Sequence, residues 1–600
     1  MRHILERINS MRLNALNIKK ASVFIQFSMI FTWVSHLIYT DSYFSVYALC
    51  AALAVLGLWD NYQNNHTMSK LPLVLNLTLA SLLSLATSLA NYPIFQRLRN
   101  MEEISDHTNS FLNVFEAILT FICGIVVFYQ IFLCIYSHFP IAYEDEDRLT
   151  SGKYPGRIFL GSFATYLVIY LFYLFFVVYP GNVTSDSIWQ LNQIVRDAHT
   201  NHHPYWHTMS IKYSMALGYA IFHDVNAAAA TYSVFQSMIM AACFAYSVVT
   251  LYQYRIPKLW VFLVYAGFAV LPCHISYSAT VWKDVPFGAA VLLLVVAMFR
   301  IIRGVGNSRI SNYVMFAIGG IGTGIMRTNG WYALVAAFVV LLVFFHKRCR
   351  KLLLPWFAVV LVGWILTNPV LDHLGVDRVN FIEGLSVPLQ QVARVIVTGG
   401  ELTEEEVQKI DTILDIDKVP DAYWDKCVDE IKDLIRAKNY PYLQEHKDEY
   451  LDLWLDIGKR YPWDYVEAWV EQTKGYWNGG YDYYIYAQYV DENDFGIYLV
   501  QQDNIIHDLV KAYFTLTRET VLFEPIQSIG FNVWILSMLC FLNLIRNRKE
   551  FLLTVPVLAV IFTLWLTTPV FSEFRYAYCV FTTLPFILPV SFCKKTGEEN

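Results

Sequence analysis

Long apolar runs recur along almost the whole chain, and they constrain its fold more than any other feature. A helix needs about 20 apolar residues to cross the ~30 Å hydrocarbon core of a bilayer. With 56% hydrophobic and 16% charged residues, the chain has the composition of an integral membrane protein. We predict an α-helical polytopic membrane protein of about fourteen transmembrane helices. Their approximate positions are 21–40, 43–60, 71–91, 111–137, 157–180, 227–252, 258–277, 285–302, 311–326, 331–346, 352–370, 528–545, 551–568 and 577–593.

Lysine and arginine residues predict the orientation, because positively charged short loops stay cytoplasmic. Counting alternately from a cytoplasmic N-terminus places every basic cluster inside, and these lie at 2–20, 255–258, 300–303, 346–351, 546–549 and 594–595. Both termini are therefore predicted to be cytoplasmic, in a multi-pass protein of the cell membrane. The first apolar run lacks a cleavage pattern and is predicted to be a retained anchor.

Four regions follow from this pattern. Residues 1–156 form an N-terminal four-helix membrane region, and residues 157–370 form a core membrane module with an external loop at 181–226. Residues 371–527 form a mostly helical extracytoplasmic domain inserted before the last three helices, which lie in 528–600. Within the insertion, Thr403 precedes EEEVQKIDTIL and is a predicted helix cap. Its many Trp and Tyr residues suit a lipid interface or carbohydrate stacking.

Charge and cysteine content exclude other classes. The net charge of -6 is spread thinly with no basic stripe, so we expect no nucleic-acid partner. Of the ten cysteines only Cys427 lies clearly in the external domain, so a disulfide framework there has no second cysteine to use.

The external loop holds the densest group of candidate functional residues, in the sequence GNVTSDSIWQLNQIVRDAHTNHHPYWHT from Gly181 to Thr208. Ionisable groups at a membrane edge are expensive to keep and are functional candidates. Thr184 or Ser185 predicts a helix start at Asp186, and a second short helix is predicted from Pro204. Asp186 is alternatively an ordinary helix-start carboxylate. The three histidines are alternatively satisfied by backbone or water, and the run lacks the glutamate of an HExxH zinc site.

Three further clusters lie at the same predicted edge. SATVWKDVPFGA contains Lys283 and Asp284, MRTNGW contains Arg327 and Asn329, and SEFRYAY contains Glu573 and Arg575. Each cluster alone is consistent with a local ion pair or a snorkelling cation. Together they predict a ring of cations beside a carboxylate. Such a ring suits a phosphate-bearing donor, because cations neutralise phosphate while a base activates an acceptor hydroxyl.

These motifs resemble those of a known protein superfamily. VTSDSIWQ, NHHPYWHT, WKDVPF, RTNG, SVPLQQVAR and FRYAY resemble the GT-C superfamily of membrane glycosyltransferases, and more closely a related multi-pass family of Gram-positive bacteria. The likeness covers residues from about 157 to the end. The protein mannosyltransferase branch has an Asp-Glu pair and a His-Pro-Pro run where this chain has Asp186-Ser187 and His203-Pro204-Tyr205, which leaves the acceptor type open.

The resemblance implies transfer of a sugar from a polyprenyl-phosphate carrier to a cell-envelope glycan or protein, with inversion, at the outer face of the lipid bilayer. It implies that Asp186 is the catalytic base. We expect acceptor or substrate positioning by Gln190, His202, His203 and His207. We expect donor phosphate binding by Lys283, Asp284, Arg327, Asn329 and Arg575, and contributions from the external domain by Gln390, Gln391 and Arg394. No metal site or cofactor is predicted, and a need for a divalent cation stays open.

Three other classes remain. A transporter or flippase of a lipid-linked saccharide would place polar groups near the bilayer midplane on broken helices. A polysaccharide polymerase or ligase would share the lipid donor and rely on arginines. A scaffold or sensor would bind a cell-wall lipid without turnover.

Overall fold

The computed structural model describes residues 2–38, 44–100, 106–143, 154–306, 308–481, 488–500 and 504–595. Almost all of its regular structure is helical. The chain divides into two compact units. The first comprises Met1–Pro140, Trp477–Asp482 and Glu524–Arg546, and the second comprises Ile141–Tyr476, Tyr483–Phe523 and Asn547–Asn600.

The first unit is a bundle of long apolar helices, Arg2–Leu37, Phe44–Asn64, Lys70–Asn100, Asp106–His138 and Ile529–Ile545, with a short helix at Glu524–Gln527. Trp33 is fully buried in this bundle. Its ring makes edge-to-face contacts with Tyr47 and Phe128, with ring centres 5.5 and 5.8 Å apart. Such edge-to-face pairs stabilise a core beyond the area they bury.

The second unit contains the candidate site. Its helices before the insertion are Pro155–Phe176, Ser185–Arg196, Tyr205–Phe222, Val225–Tyr254, Lys258–Val270, Pro272–Ser278, Asp284–Arg303, Arg309–Met326, Thr328–Phe345, Arg350–Thr367 and Pro369–His373. Those after it are Ile505–Glu519, Phe551–Thr567, the 3-10 turn Phe574–Ala577 and Tyr578–Phe592. A two-stranded parallel sheet pairs Ile141–Tyr143 with Cys593–Lys595.

Within the described residues, each predicted apolar run lies mainly on helix, and the run 157–180 continues past the end of its helix at Phe176. Eight helices of the described chain are long and apolar enough to cross a membrane, or nine if a pair bent by 49° counts as one span. That pair is Lys258–Val270 and Pro272–Ser278, and the break lies at Leu271 and Pro272. The protein is therefore a helical membrane protein. The number of crossings and the four-region division stay predictions.

Residues 381–476 form a helical layer with its own apolar core. The elements are Phe381–Leu385, Ser386–Val397, Glu404–Ile413, Ile416–Lys418, Val419–Ala422, Asp429–Lys438, Tyr440–Glu445, Lys447–Arg460, Pro462–Thr473 and Lys474–Tyr476. Ile382, Val395, Ile435 and Ile457 lie in the core. The predicted cap at Thr403 is confirmed, because its hydroxyl accepts from the Glu406 N–H (3.3 Å) and Glu406 accepts from the Thr403 N–H (2.8 Å).

The most buried candidate span, Asp284–Arg303, is the scaffold of the site. Gly288 lets Tyr578 pack closely, since an added Cβ would lie 2.8 Å from the tyrosine ring. Thr582 donates a hydrogen bond to Gly288 O (2.9 Å). This close approach joins the helix that begins at Asp284 to the one that follows Arg575.

Candidate functional site

The segment before the candidate helix is held by backbone hydrogen bonds on both sides. Asn182 exchanges them with residues 279 and 281 (2.8 and 2.9 Å), and Val183 with residues 489 and 491 (3.3 and 2.9 Å). Buried backbone groups must be paired in this way. The helix that follows therefore starts at a fixed position beside Lys283.

The helix that carries Asp186 runs over Ser185–Arg196, with Thr184 as its N-cap residue, which confirms the predicted start. The Ser187 hydroxyl accepts from the Thr184 N–H (3.3 Å), and the indole N–H of Trp282 donates to Thr184 Oγ1 (2.7 Å). Asp186 lies in the first turn, where the partial positive charge of a helix N-terminus favours a carboxylate.

Asp186 is the point at which two cations meet. Its Oδ2 lies 3.1 Å from Lys283 Nζ and 2.8 Å from an Arg575 guanidinium nitrogen. The Asp186 side chain is 23% exposed, and those of Lys283 and Arg575 are each 16% exposed. The Arg575 guanidinium also stacks over Trp282, 4.9 Å from the ring centre. Three charges from distant parts of the chain therefore form one partly desolvated cluster.

The two cations decide the protonation state of the carboxylate. Burial alone would raise the pKa of Asp186, but Lys283 and then Arg575 outweigh burial and hold that pKa well below its usual value. Burial would lower the pKa of Arg575, but the Asp186 charge raises it well above its usual value. Asp186 and Arg575 therefore keep each other charged, and Asp186 is a weak base while both cations contact it.

His203 adjoins the cluster as a neutral ring. Its Nδ1 lies 3.0 Å from Lys283 Nζ. An ammonium group can only donate, so Nδ1 accepts this hydrogen bond and carries no proton. Burial, followed by the charge of Lys283, lowers the pKa of His203 to about 2. His203 thus orients Lys283 rather than adding positive charge.

Behind the cluster, a buried chain of hydrogen bonds links four side chains. Gln236 Nε2 donates to the carbonyls of residues 277 and 280 (2.9 and 2.8 Å), so its Oε1 accepts from the Tyr232 hydroxyl (3.1 Å). That hydroxyl then accepts from His207 Nε2 (2.7 Å), and His207 Nδ1 accepts from Gln190 Nε2 (2.9 Å).

This chain fixes a neutral His207 with the proton on Nε2. Burial, ahead of the charge of Lys283, lowers its pKa to about 3. Gln190 also donates to Thr208 Oγ1 (2.8 Å). Both side chains are buried against each other, which differs from the expectation that they contact an acceptor directly. Gln190 and His207 hold the helix that carries Asp186 and, through Tyr232 and Gln236, the backbone that leads to Lys283.

Asp284 and Arg327 form a second, deeper pair rather than joining Asp186. Asp284 is fully buried, and its Oδ1 lies 2.7 Å from a terminal guanidinium nitrogen of Arg327. That nitrogen also donates to Tyr576 O (3.3 Å), and the Tyr576 ring lies 4.5 Å from Arg327 and 5.3 Å from Arg575. Of the three cations predicted to meet in one cavity, two therefore meet at Asp186, and Arg327 is separated from them by Tyr576.

His202 contacts a residue that the sequence motifs missed. Its Nδ1 lies 3.8 Å from Glu383, and the rings of His202 and His203 are 4.8 Å apart. Glu383 also pairs with Lys432 (3.0 Å) and Arg436. Burial would raise the pKa of Glu383, but Lys432 and neighbouring charges lower it. A lone glutamate in NFIEGL carried no spacing signal that could have identified it.

The remaining predicted residues lie apart from Asp186. Asn329 Nδ2 donates to Thr563 Oγ1 (2.9 Å) between two helices, a contact that joins spans. The three residues of the insertion point into its own interior, where Gln390 donates to Trp424 O (2.5 Å), Gln391 to Tyr465 O (3.1 Å) and Arg394 to Glu467. These contacts lie within the insertion and stabilise it.

A cavity of about 400 Å³ lies between the helix that begins after Pro204 and the helices that carry Trp331 and Trp364. Its wall contains two cations, Arg327 and Arg378, and two indoles, Trp331 and Trp364, and it includes Pro204, which follows His203. Of the residues that the structure describes, Asp186 and Lys283 do not line it. The volume and mixed polar and aromatic wall are typical of small-molecule sites.

Comparison with known protein families gives one match. The family model DUF6020, described as a family of unknown function, matches residues 195–600, about two thirds of the chain. The matched part contains His203, Lys283, Arg327 and Arg575 and begins after Asp186. No curated protein and no solved structure matches the chain.

Proposed function

The chain belongs to the DUF6020 family, and because the function of that family is unknown, we propose a function from the site itself. We propose that the protein is a membrane glycosyltransferase of GT-C type. It transfers a sugar from a polyprenyl-phosphate donor to a cell-envelope acceptor. The observation that carries this proposal is the contact of Lys283 and Arg575 with one carboxylate oxygen of Asp186.

The cluster supports this chemistry because a phosphate can exchange places with the carboxylate. A bound donor phosphate competes with Asp186 for Lys283 and Arg575, both of which bind phosphate well. As the cations move toward the phosphate, the pKa of Asp186 rises, since the charges that lower it are withdrawn. Donor binding thereby converts a weak base into a competent one.

The transfer is a single displacement at the anomeric carbon. The acceptor oxygen forms a bond to that carbon, the bond to the phosphate oxygen breaks, and the polyprenyl phosphate leaves with the electron pair. The acceptor proton passes to Asp186. Negative charge grows on the leaving phosphate, so the two cations bind the transition state more tightly than the donor. His203 accepts from Lys283 and keeps its ammonium group aimed at the phosphate.

The cavity beside Pro204 suits the donor. Arg327 and Arg378 supply charge, and Trp331 and Trp364 supply faces on which a sugar or prenyl chain can pack. Pro204 of the cavity wall directly follows His203, the residue that accepts from Lys283, and in this proposal the donor extends from the cavity past Pro204. In the full proposal the chain crosses the membrane about fourteen times, with both termini cytoplasmic and residues 371–527 outside with the active site.

One observation favours a second candidate function, which is transport. The bent pair at Leu271 and Pro272 is a broken helix of the type that transporters use, so movement of a lipid-linked saccharide is the alternative. The end of the broken helix, however, already has a structural role. Its carbonyls at residues 277, 278 and 280 accept from Gln236, which positions the segment leading to Lys283.

The test is turnover of a defined donor. Purified protein in lipid nanodiscs is supplied with polyprenyl-phosphate sugars and an envelope extract, and mass spectrometry measures released polyprenyl phosphate and glycosylated acceptor. Asp186→Asn should abolish most release. Asp197→Asn is the matched control, because Asp197 lies at the end of the same helix, is 85% exposed and has a left-handed φ of 51° that Asn also adopts. Transport of unmodified donor in sealed vesicles, without release, would establish the second candidate instead.

A further inference from the structure

The first unit contains a group of metal-ligating side chains that the proposed transferase does not use. Asp60, His66 and His138 each offer one ligand atom, and these atoms all lie within 4.8 Å of one another. His66 Nε2 is 2.8 Å and His138 Nδ1 is 3.9 Å from Asp60 Oδ2. Imidazole nitrogen and carboxylate oxygen are ligands that zinc takes in proteins.

The ligand atoms come from two helices. Cys134 precedes His138 by four residues on Asp106–His138, and its backbone carbonyl accepts from His138 Nδ1 (2.9 Å). Two imidazoles and one carboxylate surround a single point, which leaves one position of a tetrahedral site for water.

The backbone pre-forms this arrangement. Asn65 ends the helix Phe44–Asn64 in the left-handed region, with φ 50°, and this turn brings His66 back onto Asp60. Lys19 holds the turn, since its Nζ donates to Asn65 Oδ1 (2.7 Å) and to Tyr62 O (2.5 Å). The position of His66 is thus set before any ion binds.

Close packing of two helices brings His138 toward Asp60. An added Cβ at Gly57 would lie 2.5 Å from Gln130 O and 3.2 Å from the Cys134 Cβ. Only glycine permits this approach of Phe44–Asn64 to Asp106–His138, one turn before Asp60 and His138. The glycine therefore sets the distance across which an ion would bridge the two helices.

The spacing fits a transition-metal ion. Bonds of ~2.0–2.2 Å in a tetrahedron separate ligand atoms by about 3.4 Å, and the two contacts to Asp60, at 2.8 and 3.9 Å, bracket that value. Asp60 and His66 are 20% and 21% exposed and His138 is 61% exposed, so solvent reaches the point between them. The second Asp60 oxygen accepts from Asn64 Nδ2 (2.7 Å), which orients the carboxylate as outer-shell partners of metal ligands do.

We propose that Asp60, His66 and His138 bind one divalent transition-metal ion of the Zn²⁺ class. The ion ties the helix Phe44–Asn64 and the turn after it to the helix Asp106–His138, because its ligands come from both. Binding replaces the proton shared by His66 and Asp60 and requires the proton that His138 Nδ1 donates to Cys134 O to move to Nε2, so affinity falls as the pH is lowered. This proposal does not depend on the glycosyltransferase activity.

The test uses the full-length protein in nanodiscs, with any histidine tag removed. Competition with a chromogenic chelator should give one Zn²⁺ per chain. His66→Gln/His138→Gln should weaken binding by at least the ~10- to 100-fold that loss of an outer-shell partner costs. His346→Gln/His373→Gln removes two exposed histidines of the second unit and should bind like the wild type. Equal affinity of the two double variants, or no binding by the wild type, overturns the proposal.

Two further measurements separate ligation from loss of fold. Asp60→Asn keeps the size and an acceptor oxygen, so it tests the site even where the histidine variant fails to fold. Zn²⁺ should raise the unfolding temperature of the wild type with increasing concentration and leave that of Asp60→Asn unchanged. With Co²⁺, the wild type should show visible d–d absorption that Asp60→Asn loses. Retention of that absorption by Asp60→Asn would overturn the proposal.

Discussion

Removal of charge at Asp186 should destabilise the protein, and removal of its cation as well should add less than the cation's own cost. The perturbation is a double-mutant cycle of Asp186→Asn and Arg575→Gln. At 2.8 Å the gross attraction is about 6 kcal/mol at an effective dielectric constant of ~20, and desolvation offsets most of it. Arg575→Gln leaves Asp186 with Lys283 alone, and Asp186→Asn leaves Arg575 with Glu573 (3.3 Å) and Lys283 without its carboxylate. Each single variant leaves a partly buried charge under-compensated and should cost about 3 kcal/mol.

The double variant should cost about 4 rather than about 6 kcal/mol, a coupling of about 2 kcal/mol. The assay is unfolding by SDS in mixed micelles, followed by thiol labelling of Cys273 and Cys579, which are buried in the folded second unit. Additive effects within ~0.5 kcal/mol would refute the contact.

The same cycle on Asp372→Asn and Arg378→Gln is the matched control. That pair has an equally short contact of 2.7 Å, but its side chains are 46% and 74% exposed. Solvent screens such a pair, so its two substitutions should show no coupling beyond experimental error. Coupling of equal size in both cycles would show that burial is not what makes the Asp186 contact strong.

Three other outcomes are expected. Asp186→Asn should lower sugar transfer about 100-fold or more, the scale for loss of a positioned base, and near wild-type release of polyprenyl phosphate would make Asp186 an ordinary helix-start carboxylate. Acidification from pH 7 to 5 should destabilise the protein, because His203 stays neutral in the fold with a pKa of about 2 and titrates near 6.5 when unfolded. In thermal unfolding, His203→Gln should reduce the loss of stability over this range by about 2 kcal/mol, and parallel curves would contradict this. A cysteine at Lys418 should react with an impermeant reagent in intact cells and one at Lys595 should not, and the opposite labelling would contradict the orientation.

Local chemistry explains what could be predicted from the sequence. Thr184 and Thr403 begin helices because hydroxyl caps satisfy the first free N–H groups, and both starts were predicted. The apolar runs are helices because a chain in hydrocarbon must pair its own backbone. The candidate status of Lys283 and Arg575 followed from their place at the ends of such runs, and both contact Asp186 in the structure.

Long-range packing explains what could not be predicted. Sequence spacing does not show that Arg327 pairs with Asp284, because that choice depends on how Tyr576 fills the space between the two arginines. Likewise, Gln190 and His207 appeared as acceptor contacts because they share a loop with Asp186. Their inward orientation depends on Tyr232, a residue of an apolar span whose single hydroxyl gave no pattern to detect.

The order of synthesis gives the Asp186 contact a further consequence. Arg575 lies 389 residues after Asp186, and at ~5–20 residues per second the ribosome needs roughly 20 to 80 s to make that stretch. Throughout this interval the nascent chain holds an acidic group without its later counter-ion. A chain released before Arg575 would hold Asp186 against Lys283 alone. The complete charge cluster therefore forms only when synthesis of the polypeptide is almost finished.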